Sequence, residues 1–336
     1  MRTVVYTEPG PSSVLHLVER DIPTPGSGEI RVRIVRSGVN PTDWKSRAGE
    51  QLTFDEVAPN QDGAGVVDAL GDGVDGFAVG DRVWLFLARH GRPIGTAAEF
   101  TVQPSDRVVH LPEQASFDVG ASLGVPAITA HRALTASEDG PHRLGPGTLD
   151  GTVVLVAGGA GAVGNAAIQL ARWSGATVIT TISSDEKARL ATAAGAHHTV
   201  NYRTTGAADA ILAVAPDGVD IVVEVAPAIN NALDLAVMAN HGTIAVYANN
   251  GGDEVAIDIR ATFARNLRYQ FLLLYTLSPH LLRAAAEDVS AAVSAGGLRV
   301  GDEVGVPLHH FSLADTAAAH DAVENAAVGK VLIDVG

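Results

Sequence analysis

The chain contains no cysteine, which excludes disulfides, thiolate nucleophiles and cysteine-ligated zinc. Positive charge is scarce: 23 Lys and Arg stand against 38 Asp and Glu, a formal net charge of −15. The averaged surface field therefore repels polyanions, nucleic acid is not expected as a partner, and any phosphate ligand must be held by a local site. No continuous apolar run is long enough to cross a bilayer, and no charged-then-apolar amino-terminal segment resembles a secretion signal. The expectation is a cytoplasmic protein without a membrane partner. What is present is length and apolar content, 336 residues of which 46% are hydrophobic, enough for two domains and a large core.

The most informative stretch is Val153-Val-Leu-Val-Ala-Gly-Gly-Ala-Gly-Ala-Val-Gly164. Four apolar residues, β-branched except for Leu155, read as a buried strand, and Gly158, Gly161 and Gly164 follow before a helical pattern begins. Glycines let the backbone turn sharply and approach a ligand closely. The helix opening at about Ala162 and Val163 aims free N–H groups and a positive dipole end at that ligand, so a pyrophosphate suits the turn. Strand and helix patterns then alternate for more than a hundred residues downstream, which is the context a dinucleotide-binding Rossmann fold requires.

The first 125 residues are β-rich, with alternating stretches at Arg2 to Tyr6 and Glu29 to Ser37 and turns at Pro9-Gly10-Pro11 and Pro23-Thr24-Pro25-Gly26, which suggests a curled antiparallel barrel. Within them Gly38-Val39-Asn40-Pro41-Thr42-Asp43, Asp62-Gly63-Ala64-Gly65-Val66-Val67, Gly80-Asp81-Arg82-Val83 and Gly95-Thr96-Ala97-Ala98-Glu99-Phe100 occur in order. Ala130-His131-Arg132-Ala133-Leu134, Asn201-Tyr202-Arg203 and Gly329-Lys330-Val331-Leu332 continue the pattern. The chain resembles the medium-chain dehydrogenases/reductases over nearly its whole length, and within them the zinc-independent quinone oxidoreductase branch that includes zeta-crystallin. The resemblance implies an α/β chain: a GroES-like β-rich barrel catalytic domain, residues 1–125 and 276–336, and a Rossmann domain with a doubly wound parallel sheet, residues 126–275.

In the zinc alcohol dehydrogenases of this superfamily a Cys matches Asn40, a His-Glu pair matches Gln61-Asp62, and a four-cysteine lobe binds a second zinc. Neutral amides are poor replacements for thiolate and imidazole, so no metal is expected. The adjacent pairs His197-His198 and His309-His310 point to opposite faces if they lie in strands. The resemblance places Asn40 beside the nicotinamide ribose, where the residues alone also allow a turn residue before Pro41. Many quinone reductases carry Tyr at the position of Lys45. Two readings of Lys45 stand, an ammonium that stabilises an enolate or donates a proton, and a surface lysine paired with Asp43. Thr129 matches a threonine near the nicotinamide, or is a packing hydroxyl. Phe117 to Leu123, capped by Ser116, and Pro126 to Leu134 read as successive helices.

The strand Thr177 to Ile182 ends in Ser183-Ser184, where NAD-binding Rossmann folds place an acidic residue on the ribose hydroxyl. Hydroxyls of Ser183 and Ser184 with the charge of Lys187 suit a 2′-phosphate, which points to NADPH. Asp185 and Glu186 read as first-turn acids complementing the helix dipole. The resemblance places Tyr202 on the adenosine side, the backbone of Tyr247, Ala248 and Asn249 along the nicotinamide, and Lys330 on the cofactor, with an exposed lysine as the alternative for Lys330. The apolar stretch 267–275 reads as an edge strand, which relatives pair across a two-fold axis, so a homodimer is expected. A helix from Pro279 to Ala295 and strands near Glu303 and Val331 complete the chain. The expected activity is NADPH-dependent hydride transfer to a small quinone or enone in a cleft lined by Asn40, Lys45 and Thr129. A dedicated enoyl or alkenal reductase and a non-catalytic NADPH-binding protein are the alternatives.

Overall fold

The computed structural model describes residues 1–204 and 206–336. Its contacts divide the chain into two units, Met1–Val125 with Pro307–Gly336, and Pro126–Val306. The stretch 276–306, expected with the first domain, therefore lies in the second.

In the first unit the long strand Glu29–Val39 is the hub. It pairs antiparallel with Asp62–Leu70, with Phe100–Pro104 and with Lys330–Asp334. Alternation in its first half buries Ile30, Val32 and Ile34 on one face, each at most 1% exposed, as the period of two dictates. These side chains meet Val67, Val83, Leu85, Val331 and Ile333 in one apolar core. The strand ends at Val39, where the helix Pro41–Gly49 begins with proline in its first turn. Lys330–Asp334 lies against the end of Glu29–Val39, with Val331 opposite Val39. The carboxy-terminal strand is thereby laid beside Asn40.

The second unit holds six parallel strands in the order His198–Asn201, Thr177–Ile182, Val153–Ala157, Val219–Glu224, Met238–Val246, Arg268–Phe271. Counted along this domain that order is third, second, first, fourth, fifth, sixth, the doubly wound arrangement whose reversal point lies beside the first strand. Leu155, Ile179, Val222 and Ile244 share its core. The run 267–275 yields a strand only over Arg268–Phe271, at the sheet edge as expected.

Two details differ from the sequence reading. Phe117–Leu134 is one helix with Pro126 inside it. The carboxylate of Asp62 takes the N–H of Val125 at 2.9 Å, and Pro126 has no N–H to satisfy, so the break is bridged rather than opened. Ser116 Oγ accepts from Val119 N at its start, as a cap does. Near Glu303 there is a single 3-10 turn, Asp302–Val304, flanked by Gly301 and Gly305 with φ of 123° and 72°. Positive φ at both glycines closes the chain on itself and prevents an extended strand.

Candidate active site

The glycine-rich segment forms the turn its composition demands. Gly158 follows the buried strand with φ 69°, and Gly161 N closes the turn on Gly158 O at 3.0 Å. A Cβ on Gly164 would lie 2.5 Å from Gly158 O, so only glycine lets the helix Ala162–Trp173 start this close to the strand. That helix has no side-chain cap. Gly158 and Gly161 are exposed and Ala162 and Val163 half-buried, which leaves first-turn N–H groups for an anion.

Ser183 and Ser184 end the neighbouring strand and are half-buried, as is Lys187. Ser184 Oγ caps the helix Asp185–Ala193 by accepting from Lys187 N at 3.3 Å. Asp185 and Glu186 are exposed in its first turn, the dipole-complementing place. Tyr202 N donates to Ile182 O at 3.1 Å, which sets the backbone of the exposed Tyr202 beside the residue that precedes Ser183. Tyr247 N bonds Glu224 O at 3.0 Å and Asn250 N bonds Val225 O at 3.1 Å. The segment Tyr247, Ala248, Asn249 thus runs past the carboxyl end of the fourth strand. Asn249 is exposed and its amide bonds Asp253 at 2.5 Å. Thr129 is half-buried on the helix Phe117–Leu134.

Glu224 at that strand end and Asp234 on the following helix Pro227–Val237 form a buried acid pair that sequence reasoning missed. Glu224 is 0% and Asp234 2% exposed. Glu224 accepts from Ala226 N and from Asn230 Nδ2. Burial, and then the Glu224 charge, push the Asp234 carboxyl up to about 9, so the pair shares a proton at neutral pH. Burial and Glu224 also raise the Tyr247 hydroxyl.

In the first unit the structure gathers Asn40, Asp43, Asp62 and Lys330, all at most 4% exposed. Asn40 N donates to Asp43 at 2.7 Å, the capping contact of the helix Pro41–Gly49. Gln61 N donates to the other Asp43 oxygen at 3.1 Å. The Asn40 amide donates to Asp62 at 2.7 Å, and its oxygen accepts from Lys330 Nζ at 2.7 Å. Lys330 Nζ also lies 3.5 Å from Asp62. Burial lowers Lys330 and raises Asp62, and each opposes the other's shift. Asp62 is the carboxylate within ion-pair distance of the Lys330 amine, and burial with the nearby Asp62 pushes Asp43 up to about 7.

This corrects the exposed reading of Lys330 and the pairing of Lys45 with Asp43. Lys330 is not an exposed lysine, because the strand Lys330–Asp334 turns its first side chain into the domain. Lys45 does not pair with Asp43, which faces inward to backbone donors. Lys45 is exposed, 6.0 Å from the Trp44 ring centroid. The role of Asp62 was not legible beforehand, although its place beside Gln61 in the matched zinc-ligand pair was a signal.

Gln61 also organises a neighbouring turn. Its backbone oxygen accepts from Ala88 N at 2.9 Å and its side-chain oxygen from His90 N at 3.1 Å. Leu87, only 2% exposed, is held at φ 53°, a conformation rare for a non-glycine residue.

At the positions where zinc relatives carry ligands, the oxygens of Asn40 and Asp62 are thus bonded to an ammonium. A divalent cation there would meet the charge of Lys330, and the donor set does not suit zinc. Among the described residues no group of three or more His, Asp or Glu is placed to hold a metal.

Residues 26–113 match the alcohol dehydrogenase GroES-like domain and residues 162–291 the zinc-binding dehydrogenase family. The chain is 30% identical to the quinone oxidoreductase of Rattus norvegicus over 342 residues, 99% of this chain and 97% of the relative. It is 29% identical to the 2-haloacrylate reductase of a Burkholderia species over 333 residues, 95% of this chain and 94% of the relative. A mycobacterial protein solved in complex with NADPH superposes with a TM-score of 0.83 at 28% identity, covering 100% of both chains. With a GroES-like unit, a doubly wound parallel sheet and full-length similarity of this kind, the chain belongs to the medium-chain dehydrogenase/reductase family, as an oxidoreductase of the quinone oxidoreductase branch.

Proposed function

We propose that the protein reduces quinones or other conjugated carbonyl acceptors with NADPH, without zinc. The observation that carries this reading is the bond from Lys330 to Asn40 and its approach to Asp62 where zinc relatives hold their metal. With a fixed ammonium in that place the reaction lacks a Lewis acid. A conjugated acceptor needs none, since it spreads the arriving charge over its own carbonyl.

NADPH fits the residues present. The first-turn amides at Gly161, Ala162 and Val163 suit the pyrophosphate, with Gly158 and Gly164 keeping the turn close. Ser183, Ser184 and Lys187 suit the 2′-phosphate, where a carboxylate would repel it, and Tyr202 flanks the adenosine. Tyr247, Ala248 and Asn249 suit the nicotinamide, and Asn40, Thr129 and Lys330 are the further residues the proposal assigns to the cofactor. When bound, NADPH supplies a hydride, two electrons with one proton. An enone takes the hydride at its β carbon and a solvent proton at its α carbon, while a quinone takes the hydride and one solvent proton to become the hydroquinone. Lys45 stands on the acceptor side, where its ammonium stabilises the developing enolate. The mycobacterial NADPH complex and the quinone oxidoreductase relatives support this reading.

The protein acts in this reading as a cytoplasmic homodimer. The edge strand Arg268–Phe271 is accompanied by exposed Phe271 at 57% and Leu273 at 56%, and an unpaired apolar edge favours a second copy. Among the described residues no helix is long and apolar enough to cross a membrane.

The test is the absorbance decay of NADPH, with NADH in parallel, against quinones and enones using chelator-treated protein, together with sedimentation equilibrium. NADPH-selective turnover that survives chelation is the expected result. Turnover of one enone with poor quinone reduction replaces the broad acceptor range by a dedicated enoyl reductase. Tight NADPH binding with no acceptor reduced overturns the enzymatic reading, and a monomer overturns the dimer.

A further inference from the structure

We propose that Arg89 determines acceptor specificity by receiving a carboxylate carried by the substrate, so that the preferred acceptors are conjugated carbonyl compounds bearing an acid group. The proposal deepens the reductase reading above and rests on it.

The first observation is the unpaired charge. Arg89 is half-buried, and its Nε is buried with no hydrogen-bond partner. Among the described residues no carboxylate forms an ion pair with it, in a chain with 38 acidic residues. Its neighbours are otherwise committed. Arg92 is paired with Glu29 at 2.5 Å. Arg107 spends Nη1 on Leu87 O and His90 O, at 2.8 and 2.7 Å. Tyr6, itself 2% exposed, has its hydroxyl raised by burial and lowered by the nearby Arg89. A neutral phenol beside the guanidinium does not offset its charge. The other charged groups facing this cluster are Glu50 and Asp43, which act on Tyr6, and Arg107, which acts on His90. Burial, with the nearby arginines, lowers His90 and keeps its ring neutral.

The second observation is how rigidly the residue is presented. Residues 87 to 90 form a turn closed by His90 N on Leu87 O at 3.1 Å, held from one side by Gln61 and from the other by Arg107. This grip maintains Leu87 at φ 53°. Such backbone persists only where the surroundings over-determine it, and it clusters at ligand clamps. Gln61 is the link to the candidate site, since its N–H bonds Asp43 while its two oxygens hold the Arg89 turn. A planar fork of donors on a rigid turn is the geometry that recognises carboxylates bidentately. In a chain of net charge −15, an anionic acceptor needs such a local cation to dock.

The experiment compares 4-oxopent-2-enoic acid with its methyl ester, which keep the same enone and differ in the charge, in wild-type, Arg89→Gln and Arg89→Lys protein with NADPH. Wild-type kcat/KM is expected to favour the acid at least tenfold. Arg89→Gln should lower kcat/KM for the acid about 30-fold, the size of a lost charge-assisted contact, with the ester and the thermal midpoint unchanged. Arg89→Lys should fall between, because it keeps the charge and loses the fork. An ester reduced as well as the acid by wild-type protein, or an equal loss on both substrates in Arg89→Gln, overturns the proposal. If neither compound is reduced, the reductase reading fails separately. Calorimetric titration of the acid then decides: binding by wild-type and not by Arg89→Gln supports the role of Arg89, and equal or absent binding overturns it. Should Arg89→Gln fail to fold, the Arg89→Lys comparison and the acid-to-ester ratio of wild-type protein decide alone.

Discussion

Lys330 Nζ donates to the side-chain oxygen of Asn40 at 2.7 Å, across 290 positions of the chain. The contact ties the carboxy-terminal strand to the first helix of the same domain, and Asp62 accepts from both partners. Removing the ammonium leaves a fully buried carboxylate uncompensated. Lys330→Met is expected to cost about 3–5 kcal/mol in urea unfolding, and adding Asp62→Asn should recover part of the loss. A cost below about 1 kcal/mol would contradict an ionised pair.

The Glu224–Asp234 pair makes stability fall as pH rises. Asp234 keeps its proton in the folded state up to about 9, whereas the unfolded carboxyl releases it near 4. The unfolded state therefore binds fewer protons between those values, and the folded state loses ground until pH passes 9. Asp234→Asn should gain stability relative to wild type as pH is raised from 5 to 9. Thermal midpoints that run parallel over that range would show that no proton is shared.

Asp288 behaves in the opposite sense. Burial alone would raise it, but it accepts from His131 at 2.8 Å, from Arg143 and from Leu144 N, which together hold it down to about 2. Its contribution is present above the unfolded carboxyl value near 4 and is lost as pH falls through 2. Asp288→Asn should destabilise the protein by about 2 kcal/mol at pH 7, and the difference from wild type should vanish in denaturant titrations near pH 2.

In the proposed reading, cofactor choice is carried by Lys187 with Ser183. Lys187→Ala is expected to raise KM for NADPH about tenfold, with KM for NADH unchanged, since the proposal gives this charge to the 2′-phosphate alone. An equal rise for both cofactors would move Lys187 out of that subsite.

Where local physics decides, the sequence was legible. The run Val153 to Gly164 became a strand, a turn and a helix because each step is set within a few residues: β-branched burial, positive φ at Gly158, and contact of Gly164 with Gly158 O. The alternation downstream produced a parallel sheet for the same reason, since a strand buried on both faces and a helix with one apolar stripe admit few layered arrangements. The edge position of residues 268–271 and the first-turn acids Asp185 and Glu186 also follow from local pattern. Tertiary structure alone decided the rest. Whether Lys330 reaches solvent or Asn40 depends on the register between Val331 and Val39, which no local spacing encodes. Whether Asp43 pairs with Lys45 depends on Gln61 N, delivered by the residue that precedes the strand Asp62–Leu70. Pro126 failed to end its helix because Asp62 arrived to take the N–H of Val125. Glu224 and Asp234 became one proton-sharing unit only once Pro227–Val237 packed on its strand. Burial and charge pairing are properties of the assembled domain, so chemistry that rests on them is written in three dimensions rather than along the chain.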